Sequence, residues 1–97
     1  MVKFNPYGLN VNMQPKLSGS QIRAGRALVR WSAAELAGAA ALGANTIRRA
    51  EVSDGETSLT FANDLAVRRA LEDAGVEFID ENGGGPGVRL RKPQRRK

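Results

Sequence analysis

Asn45, Arg48 and Arg49 lie close together on a segment whose only large apolar residue is Ile47. If this segment is helical and Ile47 points inward, a rotation of about 100° per residue directs Asn45 and Arg49 outward, with Arg48 beside them. An arginine can donate two hydrogen bonds to the O6/N7 edge of guanine, and an asparagine can bond the N6/N7 edge of adenine. These residue types at this spacing therefore predict a surface that contacts the edges of base pairs.

The chain lacks the side chains on which most enzyme catalysis depends. It contains no Cys and no His, which excludes thiolate nucleophiles, imidazole bases, disulfides and Cys-ligated zinc. The glycine-rich run at 83–87 lacks the Lys-Ser/Thr pair of a phosphate-binding loop and precedes another strand-like segment. We therefore expect a binding function, with no enzyme activity, no cofactor and no metal site.

The positive charge is concentrated at the carboxyl end of the chain. Residues 1–87 hold nine Lys and Arg against ten Asp and Glu, whereas the last ten residues hold six Lys and Arg and no acid. A nucleic-acid-binding face in the body of the protein must therefore be local. No apolar run approaches the ~20 residues that cross a bilayer, and the first residues lack a signal-peptide hydrophobic region. The expected location is the cytoplasm, on the nucleoid when bound to DNA.

Two capping boxes predict where the first helices begin. Ser18 is followed three residues later by Gln21, and Ser32 is followed at the same spacing by Glu35. Gly43 is a weaker N-cap for a third helix. The predicted helices cover about 18–30, 33–41 and 44–51, after an irregular arm over 1–17.

The last part of the chain predicts a fourth helix and a β-hairpin. An apolar stripe predicts a helix over 60–74, ended by Gly75. Segments 76–79 and 88–91 have strand-like patterns on either side of a glycine-rich loop, which indicates a hairpin. Arg68 and Arg69 are expected on a solvated helix face, and residues 92–97 in a basic, flexible tail.

The unit over 32–51 combines two short helices and a tight turn. Anchored by Ile47, with Asn45, Arg48 and Arg49 exposed, it has the organisation of a helix-turn-helix whose second helix enters the major groove of DNA. Helix N-termini can direct backbone N–H groups at phosphates, and Arg23 and Arg30 add positive charge nearby.

The sequence also resembles a known family. The segment Q-I-R-A-G-R-A-L-V-R-W-S-A-A-E-L-A, followed by T-I-R-R-A-E and L-E-D-A-G-V-E-F, resembles the lambda-repressor-like, or XRE, family of bacterial and phage regulators. More narrowly, it is similar to small single-domain members that end in E-F-I-D-E-N-G-G-G-P-G-V-R-L. The resemblance, over 18–91, implies a mainly α fold: a four- to five-helix DNA-binding domain over 18–75 with a C-terminal β-hairpin over 76–91. It also implies operator binding as two-fold dimers, without a cofactor.

The same resemblance assigns roles to individual positions. The base-contacting positions of the recognition helix fall on Ala44, Asn45, Thr46 and Arg49, with Arg48 beside them. The phosphate-contacting positions fall on or near Gln21, Arg23, Ser32 and Ala33. A structural ion pair between the first helix and the end of the recognition helix falls on Arg26 and Glu51.

Three residues depart from the family pattern. Ala41 stands where the turn usually carries Gly, at a site that often needs a positive φ. Gly43 replaces the customary Ser or Thr cap, and Ala44 stands where a long base-reading side chain is common. These departures predict a strained turn and weaker base readout within the same fold.

The hairpin raises the question of a second subunit. A two-stranded hairpin is marginal alone and leaves open edges. We expect residues 76–91 to pair with the same hairpin of a second copy and form a homodimer. The alternatives are packing on the fourth helix, or a strand or interface contribution from residues 1–17.

Two functions follow from these observations. The expected function is a sequence-specific transcriptional regulator, or repressor, that binds a palindromic operator of double-stranded DNA as a dimer, with residues 44–51 in the major groove. The alternative is an antitoxin or anti-activator module that binds a regulatory protein partner and also its own promoter. Neither of these two functions involves a membrane.

Overall fold

Four helices are followed by a β-hairpin in the computed structural model, which describes residues 16–91. The helices are α1 (Gly19–Val29), α2 (Ala33–Ala40), α3 (Ala44–Val52) and α4 (Phe61–Asp73), and the strands are β1 (Val76–Ile79) and β2 (Gly87–Leu90). The mainly helical class with a small antiparallel hairpin is as predicted. Most of the predicted arm, residues 1–15, and the predicted tail, 92–97, lie outside the described residues.

The helix starts follow the capping residues read from the sequence. The Ser18 hydroxyl accepts a hydrogen bond from the Gln21 N–H at 3.0 Å, and the Gln21 side chain accepts one from the Ser18 N–H at 3.0 Å. Ser32 and Glu35 form the same reciprocal pair at 3.0 and 2.7 Å. Gly43 caps α3 without a side-chain bond. The two capping boxes satisfy N–H groups that α1 and α2 themselves leave without partners.

The core lies where the four helices and the hairpin meet. Leu17, which the sequence analysis placed in the irregular arm, is fully buried in this core. Its N–H donates to both carboxylate oxygens of Asp64, at 3.1 and 3.3 Å, so the ordered domain starts before the first cap. The largest fully buried side chains come from every part of the fold except β2: Leu17, Ile22, Leu36, Ile47, Val67, Leu71 and Val76.

The buried face of α4 carries charged groups, which corrects one prediction. Arg68, expected on a solvated face, is only 5 % exposed. Its guanidinium lies 5.2 Å from the centre of the Phe78 ring and 3.9 Å from a Glu72 carboxylate oxygen. The hairpin covers this side of α4, which helical periodicity does not reveal. Arg69 is exposed, as expected.

Asp64 is the most deeply buried carboxylate in the described part of the chain. Burial raises the pKa of Asp64, while the hydrogen bond from the Leu17 N–H and the nearby positive charges of Arg68 and Lys16 oppose that rise. A carboxylate with these donors and cations is satisfied even though it is buried. Asp64 thus ties the start of the domain to the first turn of α4.

The hairpin packs on α1 and α4, one of the alternatives raised above. Val76 pairs with Leu90 and Phe78 with Val88, so these side chains share one face. Val76 is fully buried, and Phe78 and Val88 pack against the core. Pairing of this hairpin with that of a second copy stays a prediction, since within residues 16–91 its two strands pair only with each other.

Within residues 16–91, two non-glycine residues have left-handed backbone conformations, and they bracket α2. Arg30 (φ 61°, ψ 39°) ends α1, and Ala41 (φ 59°, ψ 43°) ends α2. The positive φ that the sequence analysis expected at Ala41 is confirmed. Such a conformation brings Cβ too close to the following carbonyl oxygen and costs roughly 1–2 kcal/mol.

We expect Ala41→Gly to raise the free energy of unfolding by about 1 kcal/mol, because glycine adopts this conformation without strain. The greater conformational freedom of glycine in the unfolded chain offsets part of the strain that is removed. Urea unfolding measures the change. Ala39→Gly is the matched control, since Ala39 is an exposed residue inside α2, where glycine destabilises by about 1 kcal/mol. If both substitutions lower stability, the geometry assigned to the turn is wrong.

Candidate nucleic-acid interface

One face of α3 is anchored in the core and the other is exposed. Ile47 and Ala50 are buried at 0 % and 1 % exposure. Asn45, Arg48 and Arg49 are exposed, as the helical spacing predicts. Helix α3 therefore presents one amide and two guanidinium groups on a single surface.

The other two predicted base-contacting residues are less accessible. Ala44 and Thr46 are half-buried, and Ala44 packs against the core. Ala44 offers only a methyl group, whose use in base recognition is apolar contact with the thymine methyl. The polar part of the candidate surface therefore rests on Asn45, Arg48 and Arg49.

A hydrogen bond joins two residues of this surface. Arg48 Nη1 donates to Asn45 Oδ1 at 3.0 Å, one helical turn apart. Both side chains are exposed. The bond holds the Arg48 guanidinium toward the N-terminus of α3, beside the first turn of the helix.

The position of α3 is fixed by an ion pair with α1. Arg26 Nε lies 2.7 Å from Glu51 Oε2, and Arg26 Nη2 lies 2.9 Å from Glu51 Oε1, so the pair is bidentate. Arg26 Nη1 also donates to the Trp31 carbonyl oxygen at 2.8 Å. The hydrogen bond with Glu51 raises the pKa of Arg26, although partial burial opposes this rise. One guanidinium thus links α1, the α1–α2 turn and the last turn of α3.

We expect Glu51→Ala to lower the free energy of unfolding by about 2–3 kcal/mol. Breaking a buried pair from one side costs about 3–5 kcal/mol. The Glu51 side chain is 9 % exposed, but Arg26 is 24 % exposed, and solvent access to Arg26 reduces the loss. Denaturant titration measures the change.

Glu77→Ala is the matched control for this ion pair. It removes the carboxylate of the Arg89–Glu77 pair, whose side chains are 65 % and 44 % exposed. Exposed pairs contribute little to stability, so the control should stay close to the wild-type midpoint. A Glu51→Ala midpoint equal to that of the control would show that the Arg26–Glu51 pair does not hold α3.

Ser32 and Ala33 lie at the start of α2, where the predicted phosphate contacts fall. Ser32 is exposed, and its hydroxyl oxygen caps the Glu35 N–H. Ala33 is 9 % exposed and its side chain has no polar group, so only its backbone N–H has hydrogen-bonding chemistry for a phosphate. Arg30, exposed and just before Ser32, adds a positive charge at this end. A helix N-terminus beside a cation is a suitable environment for a phosphate.

Gln21, one of the predicted phosphate contacts, has its side chain engaged within the domain. It is only 5 % exposed, and both ends of its amide have partners inside the domain. Its Oε1 accepts from the Ser18 N–H, while its Nε2 donates to the Gly87 carbonyl at 3.0 Å and the Ile79 carbonyl at 3.4 Å. Gln21 therefore joins α1 to the hairpin and has no amide group left for DNA.

Arg23 is engaged within the domain as well. Its Nη2 lies 2.9 Å from Asp54 Oδ1 and 3.1 Å from Ser20 Oγ, and its Nη1 donates to the Glu51 carbonyl. The guanidinium lowers the pKa of Asp54. Because Asp54 compensates its charge, Arg23 is a weaker candidate for phosphate binding than its residue type suggested.

Negative charge collects away from the exposed face of α3. A cleft of about 560 Å³ lies between the loop after α3 and the hairpin loop, and its lining includes the four acids Asp54, Glu56, Asp80 and Glu81. Lys16 also lines it and Asp54 is paired with Arg23, so the acids are in excess without being alone. A polyanion is repelled by such a cluster. The acids therefore disfavour DNA beyond the C-terminal end of α3.

The described residues were compared with two further kinds of site, a metal centre and a membrane span. Over 16–91, no cluster of Asp and Glu is arranged to hold a metal ion. No helix in the same range is both long and apolar enough to cross a membrane. In comparisons with known proteins, neither a family model nor a curated protein matches the chain.

Proposed function

We propose that this protein is a sequence-specific DNA-binding transcriptional regulator of the lambda-repressor-like type, with α3 as its recognition helix. The observation that carries the proposal is the joint exposure of Asn45, Arg48 and Arg49 on one face of α3, opposite the buried Ile47. These side chains have the donors that major-groove readout uses.

The surroundings of α3 support this proposal. Helix α2 packs against α3 through the tight turn at Ala41, and the Arg26–Glu51 pair fixes the far end. A recognition helix needs this rigidity, because a misplaced side chain loses its hydrogen bonds to bases. The N-terminus of α2, with Ser32 and Arg30 exposed, is then available to a phosphate beside the groove.

The charge distribution agrees with a local interface. The body of the chain is close to neutral, yet cations occupy the face of α3 and acids surround the cleft beyond its end. Such a dipolar surface favours one orientation on a polyanion. Non-specific attraction alone does not need this separation.

We further propose a homodimer on a palindromic operator. Two recognition helices then reach half-sites about one helical turn apart, ~34–36 Å. The hairpin is our candidate interface, because its strand edges are open within residues 16–91 and Leu90 is 49 % exposed. A two-fold axis along such an edge pairs the same surface of both subunits.

One observation favours a second candidate, an antitoxin or anti-activator module with a protein partner. Val52, at the end of α3, is 81 % exposed, and Phe61 and Leu90 are also exposed. Exposed apolar side chains occur at protein interfaces. This role is compatible with promoter binding through α3.

Selection from a pool of random DNA duplexes tests the proposed function. The full-length protein is mixed with the pool at near-physiological salt and excess competitor DNA, and bound duplexes are sequenced over several rounds. We expect enrichment of an inverted repeat with half-sites one turn apart. A pool that stays random, with binding that only weakens as salt rises, would leave a non-specific polycation interaction and refute the proposal.

A further inference from the structure

We propose that Asn45 acts as a positioning residue for Arg48, and that Arg48 so placed contacts a guanine. This inference rests on the proposed function and names the base that one part of α3 recognises. It also replaces the simpler expectation that Asn45 itself contacts an adenine.

The hydrogen bond between the two side chains is the starting point. Arg48 Nη1 donates to Asn45 Oδ1 at 3.0 Å on the exposed face of α3. Asn45 has one carbonyl oxygen as its side-chain acceptor, whereas its NH₂ group only donates. The bond therefore places a cation directly beside the sole acceptor of the Asn45 amide.

This arrangement is unfavourable for adenine. The bidentate contact between asparagine and adenine needs the amide oxygen to accept from the N6 amino group while the amide nitrogen donates to N7. With Arg48 on Asn45 Oδ1, the adenine amino group has to approach a guanidinium, and two donors then face each other. Asn45 Oδ1 keeps a second lone pair, but an adenine amino group that used it would lie close to the Arg48 guanidinium, so this bond disfavours adenine readout by Asn45.

Guanine suits the same arrangement. Its major-groove edge presents two acceptors, O6 and N7. The Arg48 guanidinium has five N–H donors and uses one of them on Asn45. Its remaining donors lie beside the NH₂ group of Asn45, so this surface presents only hydrogen-bond donors. Such a surface complements the two acceptors of guanine and repels the amino group of adenine.

No competing acid for Arg48 lies on the exposed face of α3. The one carboxylate in α3 is Glu51, and it is bound to Arg26. Asn45 is thus the group on this helix that restrains the Arg48 side chain. Restraint before binding reduces the entropy lost when the contact with a base forms.

The test repeats the random-duplex selection with three variants. Arg48→Ala removes the guanine contact, Asn45→Ala removes the restraint, and Asn45→Asp keeps an acceptor for Arg48 but has no NH₂ group for adenine. Asp is tolerated in the first turn of a helix. Thermal unfolding of each variant checks that the domain is folded, and Arg69→Ala, an exposed change on α4, is the control.

The expected result concerns the position of the selected DNA site at which Arg48→Ala changes the base preference. Wild type prefers guanine there by about ten- to hundredfold. Arg48→Ala abolishes this preference, Asn45→Ala weakens it, and Asn45→Asp keeps it while lowering affinity for every sequence through its added negative charge. The Arg69→Ala control keeps the wild-type preference.

Two results would overturn the inference. An adenine preference that survives Arg48→Ala and disappears in Asn45→Asp would show that Asn45 reads the base directly, while leaving the proposed function intact. A wild-type protein that enriches no sequence would refute the proposed function and this inference with it.

Discussion

Gly19→Ala is expected to destabilise the domain by about 3 kcal/mol or more, the upper end of what overpacking costs. A Cβ at position 19 would lie 1.8 Å from the Ser53 carbonyl oxygen and 2.7 Å from the Ala50 carbonyl oxygen. Both clashing atoms belong to the backbone, so a change of side-chain rotamer cannot relieve the clash. The Gly19 N–H also donates to the Gly55 carbonyl at 3.0 Å, which holds the segments together.

Gly38→Ala is the matched control, because it makes the same chemical change in another helix. A Cβ at position 38 meets nothing within 4 Å, and alanine is a better helix former by about 1 kcal/mol. Denaturant titrations of both variants should therefore move in opposite directions. If Gly19→Ala unfolds at the wild-type midpoint, α1 does not approach the end of α3 as described, and the placement of the recognition helix fails with it.

The double variant Arg48→Ala/Arg49→Ala is expected to lose DNA affinity by roughly a hundredfold or more for its preferred sequence. Each well-placed bidentate contact to a base contributes about 1–3 kcal/mol of discrimination, and both side chains lie on the exposed face of α3. Stability should change little, because exposed positions away from caps and buried pairs tolerate substitution. Fluorescence anisotropy with a labelled duplex, at fixed salt, measures the affinity.

Arg69→Ala gives the baseline for this experiment. It removes one exposed arginine from α4, outside the proposed interface, and so measures the effect of losing a positive charge anywhere on the surface. We expect a small change. A loss per arginine in the double variant no larger than in Arg69→Ala would mean that the cations of α3 attract DNA without reading it.

The sequence was informative where the controlling interactions are local. Capping boxes at Ser18 and Ser32 depend on residues three positions apart, and both form as expected. The exposed face of α3 follows from the helical repeat once Ile47 is turned inward. The positive φ at Ala41 was expected from the resemblance, because the family usually carries Gly at this position of the turn.

The contacts that the sequence did not reveal have partners far away in the chain. Gln21 bonds carbonyls of Ile79 and Gly87, and Arg68 lies under the hairpin residue Phe78 only because β1 packs on α4. The resemblance assigned Gln21 a phosphate contact, and Arg68 was expected on a solvated helix face. Tertiary packing decided otherwise, and no periodicity in the sequence encodes which charged residue a later hairpin will cover.

The need for glycine at position 19 had a similar origin. The capping box explains Ser18 and Gln21, but it leaves the residue after the cap open. The restriction comes from the loop after α3, whose carbonyl oxygens lie against α1. Arg23 belongs to the same contact through Asp54. For Gly19 and for Arg23, the surroundings of the residue are set by a turn more than thirty residues later in the chain.

The most direct test of the central claim is to map the DNA-contacting surface by NMR. Backbone and side-chain amide signals of the labelled protein are followed while a duplex recovered by selection is added. We expect the largest shifts at the exposed residues of α3 and the first turn of α2, with small shifts around Asp54, Glu56, Asp80 and Glu81. Shifts centred on that acidic cleft or on the hairpin, with α3 unaffected, would show that α3 is not the recognition helix.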